Sequence, residues 1–126
     1  MIRGIGTDLV LIERIAGVLQ RQGERFARRI LTDAELLRFQ THHQPARYLA
    51  KRYAAKEAIL KALGTGLAGG LTWHCMQIDN DAAGAPQVVL SGMALQRLQQ
   101  GGGGRMLLSL SDEREQALAF AIWSGD

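Results

Sequence analysis

Residues 45–63 read PARYLAKRYAAKEAILKAL, a run dense in Ala, Leu, Lys, Arg and Glu, the residues with the highest helix propensity. Pro45 suits the first turn of a helix, where its missing N–H costs nothing. Gly64-Thr65-Gly66 ends the run, with Gly64 in the left-handed position that follows a helix. At 3.6 residues per turn Leu49, Tyr53, Leu60 and Leu63 share one face and form a core stripe. Arg47, Ala50, Ala54, Glu57 and Lys61 gather on another. Glu57 and Lys61 stand at i,i+4, which on a solvated helix is a surface ion pair and nothing more. Two features argue for more here. The same face carries alanines, which leave room for backbone or a ligand to approach. Arg47, Lys51, Arg52, Lys56 and Lys61 also crowd five cations onto a helix with one acid, a composition suited to neutralising phosphates. Lys56 falls near the apolar stripe, where a solvated lysine is not expected.

Outward from this helix, residues 2–6 read as a short strand ending at Thr7-Asp8, and 11–22 as a helix. Gly23 interrupts, and 24–31 forms a second short helix. Thr32-Asp33-Ala34-Glu35 is a capping box opening a third. His42-His43-Gln44 is a polar linker. Beyond Gly70 the pattern turns strand-like over 71–79, 87–90, 106–111 and 118–123. A turn spans 80–86, a short helix 91–99, and a glycine loop 101–104. These elements predict an α+β fold in which an antiparallel sheet packs on a long central helix, as one domain over 1–126.

The 126 residues suit one core, and a hydrophobic share of 47% excludes wholesale disorder. The net charge of +3 admits an acidic partner or a phosphate-rich ligand without requiring either. A single cysteine, Cys75, excludes an internal disulfide and any zinc site built on paired cysteines. No signal-type apolar region and no run of membrane-spanning length is present. The expectation is a soluble, cytoplasmic protein with no membrane partner. Adjacent His42 and His43 do not suit shared metal ligation, and His74 stands alone in a predicted strand. Cys75 reads as a small buried hydrophobe, and Trp73 and Trp123 as core.

Two carboxylates stand out. Gly4-Ile5-Gly6-Thr7-Asp8 is a tight strand end delivering one, and Glu57 on the long helix is the other. Mg²⁺ takes one or two protein carboxylates, keeps several waters and accepts phosphate oxygens, so Asp8 with Glu57 meets its demand if the fold joins them. A third feature is cationic: read as one continuous helix, 11–31 puts Arg14, Arg21, Arg25 and Arg28 on one side and Ile12, Ile15, Leu19, Phe26 and Ile30 on another, while the break at Gly23 leaves the two halves to be read separately. Such a face is either solvated or a docking surface for an acidic partner. A small basic nucleic-acid-binding domain is the alternative reading. Aromatic content of 6% is too low for a base-stacking platform and weighs against it.

Two blocks carry a resemblance. Gly4-Ile5-Gly6-Thr7-Asp8-Leu9-Val10, together with Ala50 to Ala58 (AKRYAAKEA) and Lys61 to Gly66 (KALGTG), resembles the holo-acyl-carrier-protein synthase family of small 4′-phosphopantetheinyl transferases. Glu13-Arg14-Ile15 and the segment from Arg25 to Leu31 (RFARRIL) are similar too. The resemblance implies an α+β domain active as a homotrimer, with sites between neighbouring subunits. It implies transfer of 4′-phosphopantetheine from coenzyme A to a serine of apo acyl carrier protein, releasing adenosine 3′,5′-bisphosphate, in fatty acid biosynthesis. By motif, Asp8 and Glu57 match the Mg²⁺ ligands and Lys61 the lysine beside the pyrophosphate. Arg52, Gly64, Thr65 and Gly66 match the coenzyme A cradle, and Arg14, Arg25 and Phe26 the carrier-docking helices, with Arg21 and Arg28 on the same cationic side. No nucleic-acid partner is implied. The chain departs from the family at Leu63, where an aromatic is usual, at Ala85, where a basic residue is usual, and at Ser111-Asp112, where many relatives carry a histidine.

Overall fold

The computed structural model describes residues 1–125. Its elements are β1 (Ile2–Leu11), α1 (Ile12–Gln22), α2 (Glu24–Ile30), α3 (Asp33–Thr41), α4 (Pro45–Leu63), β2 (Met76–Asn80), β3 (Pro86–Leu90), α5 (Gly92–Gln100), β4 (Arg105–Asp112) and β5 (Gln116–Ser124). Strands β1, β5 and β4 form an antiparallel sheet in that order, and β2 and β3 pair as a separate hairpin. This is the α+β arrangement expected, with the long helix at its centre.

Helix α4 is buried on most of its circumference, not along one stripe. Leu49, Ala50, Ala54, Ala55, Lys56, Ala58 and Ile59 are all fully buried. One flank lies on the β1–β5–β4 sheet, and the others meet α1, α2, α3 and β2. The alanines face the sheet, and the sheet answers with small residues: Gly4 and Gly6 on β1, and Ala117, Ala119 and Ala121 on β5, each of the latter fully buried. A side chain at Gly6 would overlap the carbonyl of Ala58, and one at Gly4 that of Ala62. The room left by the helix alanines is therefore taken by strand backbone, not by a ligand.

That close approach also explains a difference from the sequence reading. Strand β1 runs ten residues rather than ending at Asp8, because its pairing with β5 continues through Asp8 opposite Ala119 to Leu11 opposite Gln116. Asp8 thus sits within a strand. The predicted strand over 71–79 begins only at Met76, because Trp73–Cys75 form a 3₁₀ turn. His74 lies in that turn, and Cys75 is half-buried beside the Thr72 hydroxyl. Trp123 is core as expected, whereas Trp73 is only partly buried. Gly23 does divide α1 from α2, at a left-handed φ of 64°. The capping box forms, with Glu35 N donating to Thr32 Oγ1 and Thr32 N donating to Glu35 Oε1.

Glu35 does far more than cap. It is 1% exposed and forms an ion pair of 2.6 Å with Lys56 Nζ, itself 0% exposed. Its other oxygen accepts from Ile78 N at 2.8 Å, so one carboxylate ties α3 to both α4 and β2. Removing one partner of such a pair leaves an uncompensated buried charge, at a cost of about 3–5 kcal/mol. We expect Glu35→Gln and Lys56→Met each to lose about that much in urea unfolding, and the Glu35→Leu/Lys56→Met double variant to recover part of the loss. Additive losses in the double variant would show that the two charges do not depend on each other.

Candidate active site at the end of the central helix

Asp8, Glu57 and Lys61 come together where the middle of β1 crosses the last two turns of α4. Lys61 does not pair along its helix with Glu57. Its ammonium reaches across to β1, donating to the Thr7 carbonyl at 2.8 Å and approaching Asp8 Oδ1 at 3.4 Å. The Lys61 side chain keeps 55% of its exposure, so its remaining N–H groups stay open to a ligand. A cation held by a strand carbonyl beside a carboxylate is not the plain surface pair that i,i+4 spacing alone describes.

The two carboxylates are held against their own charge. Partial burial pushes the Asp8 carboxyl above its ordinary range, against the pull of Lys61. Partial burial raises Glu57 too, the negative charge of Asp8 adds to the rise, and Lys61 opposes it. Two neighbouring carboxylates with one exposed lysine beside Asp8 leave negative charge in excess, which is the donor set of a hard divalent cation. Among the described residues, no group of three or more His, Cys, Asp and Glu side chains gathers to hold a metal. Such a cation would therefore complete its shell with water and ligand oxygens, as Mg²⁺ does.

The other predicted residues divide between this corner and another. Gly64 ends α4 at φ 73°, and Thr65 and Gly66 follow directly after Lys61's turn, with Thr65 N bonded back to Leu60 O at 3.1 Å. Arg52 is elsewhere. Five residues before Glu57, it points about 140° around the helix. It is 4% exposed, donates to Asn80 Oδ1 at 2.9 Å and lies over the Tyr48 ring at 4.7 Å. There it borders an open basic cleft of about 520 Å³, shared with Arg38, His43, Tyr48 and Lys51. Within this chain, then, the structure does not bring Arg52 to Asp8, Glu57 and Lys61.

The cations on α4 have separate fates. Arg47 donates to Gln44, to Asp112, and to the carbonyls of Glu113 and Arg114, so it fastens the β4–β5 turn. Against slight burial, hydrogen bonds from Arg47 and Lys51 hold the Asp112 carboxyl below the usual range. Lys56 serves Glu35. Sequence reasoning missed Asn80 and Tyr48 as companions of Arg52. Asn80 read as a turn residue, and nothing in its neighbours reveals that a buried guanidinium lies opposite.

Arg14, Arg21, Arg25 and Arg28 are all exposed on α1 and α2, and Phe26 is half-buried between them and α4. Arg28 is engaged by Glu24 at 2.6 Å along its helix. The predicted apolar side holds: Ile15 and Ile30 are buried, and Ile12, Leu19 and Phe26 pack against the core.

Residues 4–121 match the family described as the 4′-phosphopantetheinyl transferase superfamily. The chain belongs to that family. It is 52% identical over 122 residues to a holo-[acyl-carrier-protein] synthase of Vibrio cholerae, covering 97% of each chain. The crystal structure of the holo-[acyl-carrier-protein] synthase of Neisseria meningitidis superposes with a TM-score of 0.90 at 46% identity, over 98% of this chain and 99% of that one. A holo-(acyl-carrier-protein) synthase from Bacillus anthracis in complex with CoA (3′,5′-ADP) superposes at 0.82 with 30% identity, over 100% of this chain and 99% of that one. The resemblance carried by the two sequence blocks thus extends over nearly the whole chain.

The raised carboxyls have a measurable consequence without any metal. A carboxyl that binds its proton more tightly when folded lowers stability as pH rises through the carboxylate range, so the native state bears the penalty at neutral pH. We expect metal-free Glu57→Gln to melt a few °C higher than wild type at pH 7, with the gain vanishing below about pH 4. Equal melting temperatures at both pH values would show that Glu57 is not held against charge.

Proposed function

We propose that the protein is a holo-[acyl-carrier-protein] synthase, moving 4′-phosphopantetheine from coenzyme A to a serine of apo acyl carrier protein and releasing adenosine 3′,5′-bisphosphate. The single observation that carries this reading is Lys61 held by β1 beside Asp8 and one helical turn from Glu57, in a chain that matches this family over residues 4–121. The serine hydroxyl gives up its proton to a base and its oxygen forms a bond to the phosphorus on the pantetheine side of the pyrophosphate, while the bond from that phosphorus to the bridging oxygen breaks and that oxygen leaves on adenosine 3′,5′-bisphosphate. Asp8 and Glu57 are the residues that would hold Mg²⁺. When bound, the cation supplies charge neutralisation at the pyrophosphate oxygens. Lys61 places a positive, hydrogen-bonding group where negative charge grows on the non-bridging oxygens, and the Thr7 carbonyl fixes its ammonium there in advance.

Arg52, Gly64, Thr65 and Gly66 are assigned to coenzyme A. Since Arg52 opens onto a different face from Gly64–Gly66, the ligand is best accommodated between two copies, one giving Arg52 and the other the helix end. The sheet supports such assembly. The face of β1, β5 and β4 turned away from α4 exposes Ile5 at 62%, Leu9 at 59%, Leu118 at 43% and Leu107 at 41%. An apolar area of this kind marks an interface, and a homotrimer is the arrangement we infer. The exposed arginines of α1 and α2, with Phe26, form the docking surface for the acidic carrier. We place the protein in the cytoplasm and in lipid metabolism, as one transferase domain over 1–126, whose last residue lies outside the described part. Among the described residues, no helix is long and apolar enough to cross a membrane.

Incubation with apo carrier protein, coenzyme A and Mg²⁺, followed by carrier mass, tests the reaction. Asp8→Ala and Glu57→Ala are each expected to lower kcat/KM on the order of a hundredfold or more. Lys61→Ala should cost more than Lys61→Arg, which keeps the charge. Two mild effects at Lys61 would return it to a structural role. For docking, reversing Arg14 and Arg25 to Glu should raise KM for the carrier about tenfold or more while leaving KM for coenzyme A nearly unchanged. Wild-type carrier KM should also climb with NaCl, and the reversed variant should respond less. A salt-independent carrier KM, equal in both proteins, would remove the arginines from docking.

A further inference from the structure

Helix α2 is too short to hold its own position. It spans seven residues, starts at Gly23 with no side-chain cap, and ends at Ile30. Isolated helices of this length are unstable in water, so tertiary contacts must place it. Its buried Ala27 and Ile30 and the hydrogen bond from Gln40 to Glu24 help to do so, and three further contacts reach it from Lys56, His74 and Tyr53, residues outside the surface assigned to docking. Lys56 Nζ donates to the Ile30 carbonyl at 2.7 Å. His74 Nε2 lies 2.8 Å from the Arg28 carbonyl, which can only accept, so the ring nitrogen donates. The third contact is aromatic. The Tyr53 ring packs on Phe26 of α2 with centroids 6.3 Å apart and planes tilted 46°, and on Trp73 at 5.5 Å and 37°.

Tyr53 is the member of this set that also borders the reacting groups. It stands at i−4 from Glu57, on the neighbouring turn of the same helix face. Burial raises the pKa of its hydroxyl, the negative charges of Glu57 and Asp8 add to the rise, and Arg14 opposes it. One side chain therefore touches the docking helix through its ring and stands one turn from Glu57 on the same helix. We propose that Tyr53 is a positioning residue that sets where Phe26 and Arg25 of α2 lie relative to Glu57. On this account it controls how the carrier's serine is presented to the transfer site. The proposal rests on the reading of α1 and α2 as the carrier-docking surface. Its agent is the flat ring wedged between Phe26 and Trp73, an edge-tilted arrangement that an aliphatic side chain cannot reproduce.

The experiment is steady-state kinetics with apo carrier protein, coenzyme A and Mg²⁺ on wild type, Tyr53→Phe, Tyr53→Leu, Tyr53→Ala, Phe26→Ala and the Tyr53→Ala/Phe26→Ala double variant. Tyr53→Ala is expected to raise carrier KM about tenfold, the scale of one aromatic pair, with KM for coenzyme A within about twofold. Tyr53→Phe, which keeps the ring, should restore wild-type carrier KM. In the Phe26→Ala background, Tyr53→Ala should add less than about twofold, since residues acting through one contact are not additive. Tyr53→Leu fills the space without a ring and should show the same carrier-selective rise, which preserves the test if Tyr53→Ala does not fold. Equal rises in both KM values, full additivity with Phe26→Ala, or damage by Tyr53→Phe matching that of Tyr53→Ala would each overturn the proposal while leaving the docking surface in place. An unchanged carrier KM in Phe26→Ala would instead sink the docking assignment of Phe26, and the proposal with it.

Discussion

A lysine ammonium buried at 0% exposure cannot be left to itself, and the answer to Lys56 organises much of this molecule. Burial pushes its pKa down, and the Glu35 carboxylate pulls it back. The ammonium has three N–H donors, and each finds an acceptor: Glu35 Oε1, the Ile30 carbonyl and, at 3.4 Å, the Trp73 carbonyl. Those acceptors belong to α3, to the end of α2 and to the turn before β2. Glu35 in turn satisfies Thr32 N and Ile78 N and lies 4.0 Å from Arg52 Nε. Buried pairs of this kind give little net stability compared with a hydrophobic replacement, but they tolerate very few arrangements. Three peripheral elements are thereby fixed to α4 in one register.

The opposite flank of α4 is governed by size instead of charge. Glycine on β1 and alanine on β5 meet alanine on the helix, and strand backbone comes against helix backbone. This closeness decides the chemistry. Lys61 can reach the Thr7 carbonyl and Asp8 only because no side chain stands between β1 and the last turns of the helix. A larger residue at Gly6 would push the strand away and separate the lysine from the carboxylate it is meant to face.

The two flanks therefore carry different parts of the function. The sheet side assembles Asp8, Glu57 and Lys61, the residues proposed for the phosphate chemistry. The side held by Glu35 and Lys56 carries Arg52 and its basic cleft, and it also anchors α2. Because α4 runs between them, its rigidity links the two proposed substrate-binding regions that lie on different faces. Ring contacts from Tyr53 to Phe26 and Trp73 extend the same linkage to the docking helix.

Much of this was legible in the chain. Helix α4, its proline start and glycine stop follow from propensity and capping, which are local properties. The capping box at Thr32 and Glu35, the break at Gly23, and the two motif blocks with Asp8, Glu57 and Lys61 were equally readable. What sequence could not settle was which neighbour each side chain would find. Glu35 read as a cap, and only packing turned it into the partner of Lys56. Lys61 stood at i,i+4 from Glu57 with features arguing for more than a helix pair, and only the close strand drew it to Asp8 and the Thr7 carbonyl. The alanine face offered room to backbone or to a ligand, and the glycines of β1 took it. Arg52 shared a helix with Glu57, yet the helical turn sent it to the far side. Propensity and motif depend on residues near in sequence, whereas burial, charge satisfaction and close packing depend on residues far apart in the chain that only folding brings into contact.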